Sequence, residues 1–223
     1  MFKSFLTAIL MTLPFWGFSQ DLSKLPLTAA TKPGAKKIIF YLSGDGGMNS
    51  FSQKLTTAIQ NKNFATVSLD SRKYFWDQKT PEKMTQDLSA AITHYLTTWN
   101  IDEFSIVGYS FGADATLMLV PRLSKDLQSK LKSIVLLSPS NSTDLVIKLT
   151  DMMGFGNKEG KYKVIAECNK IAQPIRFIFG KDEDNGVYKS IPERKNISRI
   201  QIPGSHKFDN DTNSVVSAVS EGL

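Results

Sequence analysis

Short apolar runs recur along this chain at intervals set by amphipathic stretches, and that rhythm limits the fold more than any other feature. Lys37-Ile38-Ile39-Phe40-Tyr41-Leu42, Phe64-Ala65-Thr66-Val67-Ser68-Leu69, Glu103-Phe104-Ser105-Ile106-Val107, Ser133-Ile134-Val135-Leu136-Leu137 and Ile175-Arg176-Phe177-Ile178-Phe179 are each too short for a helix and largely apolar on both alternate faces. Runs of that kind suit strands covered on both sides, as in a parallel sheet. Between them the periodicity changes to 3.6. Met84, Leu88, Ala91, Ile92, Tyr95 and Trp99 share one helix face, and Thr80-Pro81-Glu82 supplies a capping hydroxyl, a first-turn proline and an early acid. Further helices are expected at about 52–60, 113–120 and 214–223, and a last strand near 198–202. Strands alternating with helices in this way predict a single α/β domain, with no internal repeat or long linker.

The first nineteen residues stand apart from that pattern. A positive start at Lys3, an apolar run from Phe5 to Phe18 and small residues at Gly17 and Ser19 predict a secretory signal peptide over 1–19, with a mature domain over 20–223. Cleavage removes only Lys3 among charged residues and takes the formal charge from +6 to +5. The mature protein is therefore expected in the periplasm. The single cysteine, Cys168, excludes an internal disulfide and reads as a buried small residue. With only two histidines, His94 and His206, the chain has no Cys/His metal cluster.

The chemistry points to Gly108-Tyr109-Ser110-Phe111-Gly112, a G-x-S-x-G between a buried strand and a helix. The bare pentapeptide arises by chance in roughly one chain in ten of this length, but strand, sharp turn and helix are the setting of a nucleophile elbow. There the serine hydroxyl projects at the carboxyl edge of the sheet, near the positive end of the following helix. A serine needs a neighbouring base, and in this topology the base follows the last strand. His206 stands there, in Pro203-Gly204-Ser205-His206-Lys207-Phe208-Asp209, whereas His94 falls off the apolar face of a helix and reads as solvated.

The orienting acid belongs after the penultimate strand, where Asp182, Glu183 and Asp184 are consecutive. Glu183, third after Gly180, has the usual spacing, followed by Asp184 and then Asp182. Oxyanion donors are expected from the backbone N–H of Phe111 and from Asp45 or Gly46 in Ser43-Gly44-Asp45-Gly46-Gly47. Tyr74, Phe75 and Trp76, after the second strand, and Tyr109, beside the serine, are candidates for substrate contact, although at least one of the first three is expected in the core. The glycine-rich stretch 154–161 lacks the spacing of a Walker loop, and no dinucleotide fingerprint follows a strand, so neither metal nor organic cofactor is implied. The cluster of Arg122, Lys125, Lys130 and Lys132 reads as a solvated helix face, without a nucleic-acid partner.

Assembled in order, Leu42-Ser43-Gly44-Asp45-Gly46-Gly47, Asp70-Ser71-Arg72-Lys73-Tyr74-Phe75-Trp76, Thr80-Pro81-Glu82, Gly108–Asp114 and Pro203–Asp209 resemble the bacterial virulence protein VirJ family and the related carboxyl-terminal domain of AcvB proteins. Met48 stands where that family usually has an aromatic residue. Paired histidines are replaced by Ser205-His206-Lys207, and residues 186–195 lack a cysteine the family tends to carry. The resemblance implies an α/β-hydrolase fold, with a mostly parallel sheet, helices on both faces and little or no lid. For AcvB-like members it implies hydrolysis of the aminoacyl ester of lysyl-phosphatidylglycerol and a link to type IV secretion. The resulting expectation is a periplasmic serine esterase, with a lipid or small-molecule ester substrate, peripheral contact with an anionic membrane and secretion-system proteins as partners. The alternative is a non-catalytic periplasmic chaperone or binding factor associated with type IV secretion.

Overall fold

The computed structural model describes residues 21–148, 159–183 and 186–223. The expected signal peptide, 1–19, and the acid candidate Asp184 lie outside them.

The main sheet contains β1 (Leu27–Ala30), β2 (Ile38–Leu42), β3 (Ala65–Leu69), β4 (Phe104–Tyr109), β5 (Leu131–Leu137), β8 (Ile175–Gly180) and β9 (Ile197–Ile202), and a two-stranded ribbon is formed by β6 (Ser142–Thr143) and β7 (Tyr162–Lys163). The main sheet has the order β1-β3-β2-β4-β5-β8-β9, parallel throughout except for β1 against β3. The connections from β2 to β3, β3 to β4, β4 to β5 and β8 to β9 cross over through the helical layers. These include α1 (Ser50–Asn61), α2 (Ser71–Tyr74), α3 (Pro81–Trp99), α4 (Phe111–Leu119), α5 (Lys125–Lys130), α6 (Gly186–Ser190) and α7 (Thr212–Ser220).

Alternation along each strand explains why both faces are apolar. Ile38, Phe40 and Leu42 turn to one side, where Met84, Leu88 and Ile92 of α3 and Ala115 and Leu119 of α4 meet them. Ile39 and Tyr41 turn to the other, onto Leu55 and Ile59 of α1 and Val215 and Val219 of α7. A strand in the middle of such a sandwich has no solvent face, so alternation of polarity disappears from its sequence. Thr80 accepts the Lys83 N–H at the start of α3 as its sequence predicts, and Asn100, at φ 50°, ends that helix in the left-handed conformation. α1 begins two residues earlier than expected because the Asn49 side chain accepts the Ser52 N–H and caps it.

β1 carries no apolar run in its sequence. Leu27-Thr28-Ala29-Ala30 is partly exposed and closes one edge of the sheet, where polarity and shortness guard against further pairing. β9 occupies the opposite edge and is likewise only partly covered. Cys168 is fully buried, and burial pushes its thiol up to about 12. The basic cluster meets acids: Arg122 pairs with Glu167, Lys130 with Asp126 and Lys132 with Glu103. Among the described residues, no helix is long and apolar enough to cross a membrane, and no group of three or more metal-ligating side chains converges.

Candidate active site

At the carboxyl end of β4 the chain turns into α4 within one residue. Ser110 makes that turn at φ 52° and ψ −118°, a region that side-chain-bearing residues rarely enter. Its N–H donates to the Leu137 carbonyl at 2.8 Å, and its carbonyl accepts from Ala113 (2.9 Å) and Asp114 (3.2 Å), so the conformation is held from both neighbouring elements. The flanking glycines are required by crowding. A Cβ at Gly112 would lie 2.1 Å from the Leu42 carbonyl oxygen, and one at Gly108 2.6 Å from the Gly112 oxygen. The elbow therefore brings α4 directly against β2 and β4.

His206 reaches the serine from the loop after β9. Its Nε2 lies 2.9 Å from Ser110 Oγ, and its Nδ1 lies 3.2 Å from Glu183 Oε2. The network is consistent with Nδ1–H donating to the carboxylate and the serine hydroxyl donating to Nε2. The imidazole is half-exposed, but the loop that carries it is firmly anchored. Phe208, Asp209 and Asn210 are successively left-handed, with φ of 52°, 50° and 59°. The Phe208 ring is completely buried and stacks with Phe51 at 6.3 Å. Tyr109 donates its hydroxyl to the His206 carbonyl at 3.2 Å. Burial, with the nearby Asp45 and Glu183 charges, raises the Tyr109 phenol to about 12, so it remains a donor at neutral pH.

Of the two acids among the described residues, Asp182 and Glu183, it is Glu183 that meets the imidazole. Asp182 is exposed, and its N–H bonds to the Gly204 carbonyl at 3.0 Å. The Glu183 side chain retains about a tenth of its exposure. Burial alone would raise its pKa, but hydrogen bonds from His206, Ser138 and Gly180 outweigh that and hold it below the usual carboxylate range. The Ser138 hydroxyl donates to Oε1 at 2.5 Å and the Gly180 N–H donates to the same oxygen at 2.6 Å, leaving Oε2 to the histidine.

The glycine loop after β2 lies against the elbow. A Cβ on Gly44 would stand 3.4 Å from Ser110 Cβ, and the Gly47 N–H closes a turn onto the Gly44 carbonyl at 3.0 Å. Asp45 and Gly46 occupy the centre of that turn. Both border a cavity of about 510 Å³ that also contains Tyr109, Ser110 and His206. Phe111, whose N–H opens α4, packs its ring against Phe75 at 4.9 Å. A second cavity of about 580 Å³ shares Gly46 and Asn49 with the first and continues past Met48, Arg72 and Trp76.

The aromatic triplet divides between core and surface. Tyr74 is buried with its hydroxyl donated to Asp87 at 2.7 Å, and Phe75 is buried completely, so these two candidates for substrate contact belong to the core. Their positions in and just after α2 turn both rings inward, onto the α3 side of the sheet. Trp76, 51% exposed, is the member of the triplet that borders a cavity. His94 lies exposed on α3 and takes no part in the site.

Sequence reasoning missed Ser138 and Asp114. Asp114, in the first turn of α4, is buried and accepts from the Ser140 N–H at 2.7 Å and the Ser140 hydroxyl at 2.5 Å. Its carboxyl is pushed up by burial to about 7, partly offset by those bonds and by His206. A serine just after a strand and an acid in the first turn of a helix carry no chemical signal until the fold places them.

No curated protein matches the sequence. Among solved structures, Est1E from Butyrivibrio proteoclasticus with ferulic acid bound is similar at 16% identity and a TM-score of 0.65, covering 90% of this chain and 95% of that one. A lipase-esterase related protein from Clostridium acetobutylicum gives 12% identity, a TM-score of 0.63 and coverage of 89% and 99%. Proline iminopeptidase from Mycobacterium smegmatis gives 12%, 0.62, and 87% and 92%. At these identities the likeness establishes the α/β-hydrolase fold. A family profile described as bacterial virulence protein (VirJ) matches residues 36–223, from just before β2 through the histidine loop and α7, and by that match the chain belongs to the VirJ family.

Proposed function

We propose that this protein is a serine hydrolase that cleaves a carboxylic ester through an acyl-enzyme. The observation that carries the reading is the continuous contact from Ser110 Oγ through the His206 ring to Glu183. As Ser110 Oγ attacks the ester carbonyl, its proton passes to Nε2 and the new imidazolium is stabilised by the Glu183 carboxylate. The oxyanion is received by the Phe111 N–H and by an N–H of Asp45 or Gly46. The imidazolium then protonates the departing alcohol. In the second half His206 takes a proton from water, whose oxygen attacks the acyl carbon, and Ser110 leaves with its proton restored.

Family membership and the cavities support an aminoacyl-phospholipid, such as lysyl-phosphatidylglycerol, as the ester. The acyl-side ammonium would face Asp45 in the cavity of Ser110, and the phosphate would face Arg72 and Lys73 in the adjoining one. In this reading the leader is removed, the domain works in the periplasm at the anionic membrane surface, and secretion-system proteins are partners. A fluorophosphonate probe should label the purified protein, and Ser110→Ala should abolish labelling; equal labelling of the variant would end the assignment. Thin-layer analysis of membrane lipids from cells with and without the gene tests the substrate.

A further inference from the structure

Ser138 does more than end β5. Its N–H donates to the Ile178 carbonyl at 2.9 Å, which continues the β5–β8 ladder by one residue. The backbone then turns through φ 48°, a conformation unfavourable for a residue with a Cβ. The side chain is 2% exposed, and its hydroxyl is committed to Glu183 Oε1. A serine could satisfy its hydroxyl locally in many extended or helical conformations; here the strained turn aims it at a carboxylate 45 residues further along the chain.

We propose that Ser138 is a positioning residue that fixes which Glu183 oxygen faces His206, an inference that rests on the triad reading above. Oε1 has two donors, Ser138 and Gly180, at 2.5 and 2.6 Å. Two short bonds to one oxygen prevent rotation about the terminal torsion of Glu183, which otherwise is broad and roughly two-fold. Oε2 is thereby presented to Nδ1, and the imidazole is held with Nε2 toward Ser110. The Gly180 N–H alone would anchor Oε1 at one point and leave the carboxylate plane free to pivot.

Ser138→Ala and Ser138→Gly both remove the hydroxyl, but alanine keeps the Cβ that strains the left-handed backbone and glycine removes it. The low-field Nδ1–H proton resonance of His206, measured by NMR in the Ser110→Ala background so that turnover is irrelevant, should be present with Ser138 and lost or shifted upfield in both variants. In the Ser110 protein, p-nitrophenyl acetate hydrolysis should lose about tenfold in kcat, the scale of one hydrogen bond to a charged group, with KM little changed. An unchanged resonance in both variants overturns the proposal. Retention in Ser138→Gly alone also overturns it, because backbone shape rather than the hydroxyl would then position Glu183. Failure of the hydrolase reading is separable: the resonance and its response to Ser138 would remain while fluorophosphonate failed to label Ser110.

Discussion

Replacing Asp114 with asparagine should change how stability depends on pH while leaving the fold intact. Asp114 lies at 4% exposure in the first turn of α4, and burial lifts its carboxyl from 3.8 to about 7. Each pH unit between those values corresponds to about 1.4 kcal/mol, so ionising it in the fold costs up to about 4 kcal/mol more than in the unfolded chain. Between those pH values the folded state holds a proton that the unfolded state has released, so the Asp114 contribution to wild-type stability falls as pH rises from about 4 to about 7 and levels off above. Asparagine is nearly isosteric, and its carbonyl still accepts the Ser140 N–H. Its amide can donate to the Ser140 hydroxyl, which has a further acceptor in the Ser142 carbonyl at 2.9 Å. The variant should match wild type within about 1 kcal/mol at pH 4 and gain on it by up to about 4 kcal/mol by pH 8. Urea unfolding followed by tryptophan fluorescence at each pH gives both curves. A stability difference that stays constant from pH 4 to pH 8 would refute the assignment of a proton to Asp114.

Three other substitutions probe the elements that converge on the serine. Gly180→Ala should destabilise by about 3 kcal/mol or more and abolish ester hydrolysis, since its Cβ would lie 2.3 Å from the Gly204 and Ser205 carbonyl oxygens beneath the histidine; a stable, active variant would mean that the loop shifts freely. Ser110→Gly should be more stable than Ser110→Ala by about 1 kcal/mol in thermal unfolding, because glycine relieves the strained elbow and both lack the hydroxyl; the reverse order would rule out strain there. Asp45→Asn should raise KM for a lysyl ester about two- to five-fold, the scale of an exposed charge contact, and leave an acetyl ester unaffected; equal effects on both esters would remove Asp45 from acyl recognition.

The fold was legible where physics leaves a pattern. Strands covered on both faces stand out as apolar runs, and the Thr80-Pro81 start of α3 carries its own capping chemistry. β1 was not, because an edge strand of four residues has little apolar surface to bury and owes its conformation to pairing with β3. Ser110 and His206 could be singled out, and the acid narrowed to Asp182, Glu183 and Asp184 with Glu183 first by spacing, because a strand-turn-helix elbow requires its partners after particular strands. Tyr74 and Phe75 show the opposite limit: an aromatic triplet after a strand does not reveal which rings turn inward until α2 forms. Ser138 and Asp114 were hidden for a similar reason, since their partners are 45 and 26 residues away in sequence.

The order of strands decides when the proposed site can be complete. The serine rises from β4 in the middle of the sheet, while Glu183 and His206 follow β8 and β9, the last two strands to be synthesised and the outermost on that side. A nascent chain that has completed β2 to β5 already has its elbow but no base, and an unassisted alcohol does not attack esters at a useful rate. On the proposed mechanism, reactivity is withheld until the half-covered edge strand docks, and agents that fray that edge should abolish fluorophosphonate labelling of Ser110 well before the centre of the sheet unravels.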